Sequence, residues 1–206
     1  MAANEHDLRY RRTHNAIQRA MAELVMEIDP NKITVKQIAD RAQINRKTFY
    51  LHYDSIESLF DEHLDAVMNR FFDEAEQTPE TPEDIEGHAV RFFLFLAQQD
   101  EPTTRLICTR GRYDYGGKLY RMQMERYATA GNPFPTLDTA EFDLVTHFIR
   151  STALQFFRRW VRDGRIVESQ RAAALLGQLT TFGVSPFLHA VSQEPYTSVE
   201  NKLPTE

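Results

Sequence analysis

An all-helical chain is what this sequence predicts, and three observations carry the prediction. The first 78 of the 206 residues contain no glycine and one proline, Pro30, so almost nothing there interrupts a helix. Apolar residues recur at intervals of three and four, and no strand-like alternation of any length occurs. Residues that cap helices stand where several of these apolar runs begin. With 42% hydrophobic and 26% charged side chains, the chain can fill one sizeable core or two modest ones, which excludes fibrous and disordered readings.

The first helix is predicted from Arg9 to Ile28, with Ile17, Met21, Leu24, Val25 and Ile28 on one face and Asp29, Pro30 and Asn31 as its stop. Thr34 and Gln37 form a capping box for a short second helix that carries Val35, Ile38, Ala39 and Ala42 inward. Asn45 caps a third, Arg46 to His52, and Asp54 with Glu57 caps a fourth whose buried stripe is Ile56, Leu59, Phe60, Leu64, Val67 and Phe71. The polar, proline-bearing joint at residues 77–82 separates a head from a body. The head is residues 1–53 with a linking helix at 54–76, and the body is residues 77–206. Body helices are expected at Asp84 to Gln99, Thr103 to Thr109, from the end of a loop at Arg110 to Gly117 as far as about Ala130, Thr139 to Asp163 with Gly164 as its stop, and Ser169 to Phe182, ending near Gly183 and Pro186. Residues 131–135 read as a loop and the tail after Gln193 as loose.

Charge divides the same way. Residues 1–53 hold nine Lys/Arg against six Asp/Glu, a surplus of +3, and the rest hold 15 against 24, a deficit of −9, giving the net −6. A basic head on an acidic body points to a polyanionic partner for the head alone. No apolar run approaches the roughly 20 residues needed to span a bilayer, the start is polar, and Cys108 is the only cysteine. A cytoplasmic protein without membrane contact is the expectation.

Thr34 to His52 carries the strongest functional signal. A capped short helix, a tight connection through Gln43, Ile44 and Asn45, and a second helix from Arg46 make a helix-turn-helix, with the small Ala39 allowing close packing. Arg46, Lys47 and Thr48 occupy the first turn of the recognition helix, where side chains meet base edges, and Arg and Lys donate to guanine O6 and N7. Tyr50, His52 and Thr34 are better placed for phosphates, which set register without reading sequence. Lys36, Gln37 and Asn45 complete the set of candidate DNA contacts.

The stretch Thr34 to Phe60, above all Thr48-Phe49-Tyr50, His52-Tyr53, Ser55, Glu57 and Leu59, resembles the DNA-binding signature of the TetR family of bacterial transcriptional regulators. The resemblance covers about residues 9 to 65 and implies a homodimer of all-helical subunits, a two-fold double-stranded DNA operator, and a body that releases DNA when a small molecule fills it. Three positions depart from the family pattern. Gln43 and Lys47 stand where glycine is frequent and Ile56 where lysine is frequent. A left-handed backbone at Gln43 would cost of order 1 kcal/mol.

The body offers two apolar stripes on the Thr139 helix. One, Phe142, Val145, Ile149, Phe156 and Trp160, is assigned with Leu175 and Leu179 of the last helix to the dimer interface; the other is Leu144, Phe148, Phe157 and Val161. Both faces packing within one subunit is the alternative that the residues leave open. Phe92, Phe95, Tyr113, Tyr120, Tyr127 and Phe148 are the candidate walls of an effector pocket.

Enzyme templates fail on spacing. Gly111 and Gly116 have the separation of a phosphate loop, but Gly117 stands where lysine is required. Gly183-Val184-Ser185 starts like a nucleophile elbow, but Phe187 replaces the closing glycine. No motif requires a cofactor or a metal. The expected function is a repressor released by a small molecule; the alternatives are a ligand-independent activator and a helical scaffold that does not bind DNA.

Overall fold

The computed structural model describes residues 2–75, 84–129, 134 and 136–188. Among them are nine α-helices and no strand: α1 (Ala2–Glu27), α2 (Val35–Arg41), α3 (Arg46–Tyr50), α4 (Ile56–Ala75), α5 (Ile85–Ala97), α6 (Glu101–Cys108), α7 (Tyr115–Thr129), α8 (Thr139–Arg162) and α9 (Ser169–Leu188). The loop expected at 131–135 and the tail after Gln193 lie outside the described residues, apart from Phe134.

Local chemistry sets most boundaries. Thr34 caps α2 and exchanges hydrogen bonds with Gln37 in the expected box, and Asn45 caps α3 by accepting from the Thr48 amide at 2.7 Å. The cap of α4 differs from expectation. Ser55 and Ser58 each accept the other's amide at 3.1 Å, while Glu57 turns away to meet Arg112 at 2.8 Å. A serine hydroxyl is short enough to satisfy the first-turn amide, which leaves the longer carboxylate free for a tertiary partner.

Two helices run further than their patterns indicate. α1 extends back to Ala2, and α9 continues past Gly183 and Pro186 to Leu188. Helix length in a folded protein follows tertiary packing more than propensity, and α9 lies along α5. Gly177 makes that approach close, because a Cβ there would stand 2.8 Å from Val90 Cγ2. In the other direction α7 starts at Tyr115, inside the stretch expected as loop, with Asp114 accepting from the Gly117 amide.

The core runs unbroken from head to body. Ile17, Val25, Ile38, Phe49, Leu59, Val67 and Met68 are buried with Phe93, Leu96, Leu119, Phe157 and Ala173 in one contiguous cluster. Ion pairs outside it hold the elements in register. Arg41 at the end of α2 reaches Glu23 and Glu27 of α1 at 3.2 and 2.6 Å. The turn of the helix-turn-helix holds Gln43 at φ 55°, a left-handed conformation that glycine adopts without steric cost. Gln43→Gly is therefore expected to raise stability by about 1 kcal/mol. Urea denaturation measures this, and an unchanged or lower midpoint would contradict the strain at this turn.

Candidate nucleic-acid interface and body cavity

The interface is built outward from Phe49. Its ring is fully buried and packs at 5.7 Å on Tyr53 and edge-on at 5.6 Å against Tyr50, so one side chain fixes the rotation of a helix only five residues long. That rotation leaves Arg46, Lys47, Tyr50 and Leu51 exposed. No ion pair joins Arg46 or Lys47 to a described acidic residue, so both charges stand in solvent at the tip of the head, whereas Arg41 is spent on its two glutamates.

The other candidate contacts divide by what already holds them. Lys36 and Tyr50 are exposed, with Tyr50 half in solvent. Thr34, Gln37 and Asn45 lie at the same end but hold caps, and the Thr48 hydroxyl donates to Asn45 Oδ1 at 3.1 Å. His52 departs from the sequence reading. Its ring stacks on Tyr10 of α1 at 4.1 Å and sits 6.4 Å from the His14 ring, and burial, then the nearby His14, push its pKa down. The side chain thus joins α3 to α1 rather than reaching outward, because Tyr10, more than forty residues away in sequence, folds over it. Tyr53 closes this cluster, its hydroxyl 3.0 Å from His14 Nδ1 and accepting from Gln18 at 2.9 Å. Leu51, 72% exposed beside Tyr50, was missed by the sequence reading; its signal is an apolar residue out of phase with Phe49 and Tyr53.

The head is seated on the body through polar and aromatic contacts. Arg105 of α6 donates to the Met26 carbonyl at 2.6 Å and Asn31 donates to the Arg110 carbonyl at 2.9 Å. Lys118 of α7 pairs with Asp61 at 2.6 Å, and Tyr113 stands edge-on to Phe60 at 5.0 Å. Behind this seam Arg158 of α8, 8% exposed, donates to the carbonyls of Ile107 and Thr109 at 3.0 Å each and to Asp114 at 3.3 Å. A buried guanidinium thus ties α8 to the C-terminal end of α6, where carbonyls lack helical partners.

The body also holds a small cavity of about 30 Å³ between α5, α7, α8 and α9. Of the candidate pocket residues, Phe92 and Tyr120 line it. Tyr113 instead belongs to the seam with the head, Phe95 packs on Phe71 at 5.1 Å, and Phe148 faces solvent. The side chain of Tyr127 lies outside the described residues. Ring positions in sequence announce burial; which cavity a ring meets depends on how the helices cross.

Most of the residues assigned to the dimer face have partners inside the subunit. Phe142, Val145 and Ile149 pack around Phe134, while Phe156 and Trp160 lie against Phe93 at 6.0 and 5.1 Å, all within one subunit. Leu175 is half-buried beside Trp160, and Leu179 is exposed. Among the described residues of α8 and α9, the exposed large apolar side chains are Leu144, Phe148, Leu179 and Phe182. Of these, Leu144 and Phe148 come from the second stripe. Cys108 is half-buried, its thiol pushed up by burial. No metal-ligating cluster occurs among the described residues, and none of their helices is long and apolar enough to cross a membrane.

A short cationic recognition helix projecting from an all-helical, two-part molecule defines a helix-turn-helix DNA-binding transcriptional regulator. Residues 17–63 match the model for the bacterial regulatory proteins of the tetR family. That match covers the helix-turn-helix head, which is similar to the DNA-binding part of that family. No curated protein matches it in sequence. Among solved structures it resembles the fatty acid degradation regulator FadR of Bacillus halodurans, at 18% identity and TM-score 0.56 over 84% of this chain and 98% of that one. It also resembles SmeT, the repressor of the Stenotrophomonas maltophilia multidrug efflux pump SmeDEF, at 17% identity and TM-score 0.54 over 95% and 97%. FadR of Bacillus subtilis, solved with stearoyl-CoA, matches at 18% identity and TM-score 0.54 over 84% and 98%. At these identities the likeness is one of fold.

Proposed function

We propose that this regulator is a homodimeric repressor that binds a two-fold operator through α3 and leaves it when a small molecule enters the body cavity. The observation that carries the DNA reading is the first turn of α3. Arg46 and Lys47 are exposed and without acidic partners among the described residues, on a helix whose orientation is fixed by a fully buried Phe49. Arg46 is the base reader in this scheme, and Lys36, Lys47 and Tyr50 supply phosphate contacts.

Dimerisation is supported by the stripe Leu144, Phe148, Leu179 and Phe182, which faces solvent in the single subunit and is self-complementary when two copies meet about a two-fold axis. Pairing there places two recognition helices on one molecule, and a spacing of about 34 Å lets them enter successive major grooves. Release is supported by a continuous physical connection. α8 contributes Ile149, Arg150 and Ala153 to the cavity and Arg158 to the end of α6, and α6 in turn holds the end of α1 through Arg105. A ligand that displaces α8 shifts α6 and with it the seat of the head.

Binding to the promoter region beside the protein's own coding sequence tests this reading. Affinity is expected to fall on the order of 10³-fold between about 50 and 200 mM salt if six or more phosphates are neutralised. Arg46→Ala should cost about 1–3 kcal/mol at particular base pairs. Fluorescence anisotropy with a panel of operator variants measures both. Salt-insensitive binding, or uniform weakening of every sequence by Arg46→Ala, would overturn the assignment.

A further inference from the structure

The walls of the body cavity restrict what can fill it. Most are apolar: Ile85, Phe92, Met124, Phe134, Ile149 and Leu176 among them. Among the described residues that line it there is no aspartate or glutamate, and Arg150 is the one arginine or lysine. A cationic ligand would therefore enter an apolar space with no counter-charge and one like charge, which is strongly unfavourable. An anion meets the opposite situation.

Two lining groups have hydrogen-bonding capacity to offer. Tyr120 is 3% exposed, and its hydroxyl has no hydrogen-bond partner among the described residues. Burial raises the Tyr120 pKa, so the phenol keeps its proton and is available as a donor. An unsatisfied buried hydroxyl is costly, and a ligand oxygen that accepts from it removes that cost. Arg150 is half-buried and donates to His147 Nδ1 at 2.9 Å. An arginine can only donate, so His147 Nδ1 accepts here, and it brings no negative charge to offset the guanidinium. Among the described residues no carboxylate pairs with Arg150.

We infer that the cavity takes a small monocarboxylate: an apolar body against the phenylalanine and aliphatic walls, and one carboxylate meeting the Tyr120 hydroxyl and the Arg150 guanidinium. The inference rests on the effector reading above and gives that effector a chemical class. Size points the same way. A space of about 30 Å³ holds only two or three waters, so short aliphatic and single-ring acids require less side-chain adjustment than a long acyl chain. Gln123, 4% exposed and hydrogen-bonded to His88, and the buried Thr180 complete the polar part of the wall.

The test uses the full chain and matched probes: the straight-chain acids from butanoate to octanoate, benzoate, stearate, and the amine and primary alcohol corresponding to each short acid. Calorimetric titration reads binding, and anisotropy of a labelled duplex enriched from random sequence by this protein reads release. Expected is saturable binding of one or more short or aryl acids, at least tenfold tighter than the matched amine and alcohol. Arg150→Gln and Tyr120→Phe should each weaken the acid by about tenfold, the loss typical of a hydrogen bond to a charged group, and Arg150→Gln should leave the alcohol unchanged. Amines or alcohols binding as tightly as acids, stearate binding tightest, no binding by any acid, or full affinity in both variants would each overturn the carboxylate assignment. Acids that bind without releasing DNA would leave that assignment standing and refute the effector reading. Amines or alcohols that release DNA at lower concentration than any acid would do the reverse.

Discussion

Glutamate at both Phe148 and Leu179 is expected to yield a folded monomer that no longer holds its operator. The two side chains are 54% and 62% exposed in the subunit, so the replacement creates no cavity and buries no charge in the fold itself. In the proposed dimer the same residues come together with their own copies across a two-fold axis, and four carboxylates then meet in an apolar interface. Leaving such charges desolvated and unpaired costs several kcal/mol, more than enough to prevent association at micromolar concentration. Operator affinity should fall by 10² or more, because binding by two linked readers becomes binding by one. Sedimentation velocity and circular dichroism check the two parts: half the mass with helix content retained. A dimeric mass in the double variant would sink this interface. Phe156→Glu and Trp160→Glu are poorer tests, since both residues pack on Phe93 within the subunit and their loss would be read as unfolding.

Phe49→Ala carries the second large effect, and it acts on the reader. Five residues are far below the length at which a helix holds itself in water, so α3 owes its form to the Asn45 cap and to the Phe49 ring. Removing a fully buried phenylalanine costs about 3–5 kcal/mol, and here the loss falls on the element that carries Arg46 and Lys47. Chemical denaturation should show that loss, with specific binding abolished even at low salt. Lys47→Ala, on the exposed side of the same helix, should leave stability within about 0.5 kcal/mol and weaken all DNA sequences alike. If Phe49→Ala kept full operator affinity, the orientation of the reader would not depend on this anchor.

Much of the head was legible because its signals are local. A capping box needs only Thr34 and Gln37, a cap only Asn45 and the Thr48 amide, and the buried stripe of α4 only the helical period. All three stand in the structure where the sequence put them. The left-handed turn at Gln43 was legible from the motif, since the family places glycine there, and the backbone takes that conformation at φ 55°. His52 was not. Nothing near it in sequence announces Tyr10, and a side chain that reads as a phosphate contact proves to be stacked under the first helix.

The body shows the same division more sharply. Its residues announce helices and, on the Thr139 helix, apolar side chains on two sides. Packing against the other helices turns Phe142, Val145, Ile149, Phe156 and Trp160 inward and leaves Leu144 and Phe148 outward. It also decided that Tyr113 serves the seam and Tyr120 the cavity. The reason is geometric. A period of 3.6 residues fixes which side chains share a face of one helix, but the partner of that face depends on crossing angles and offsets set by every other helix at once.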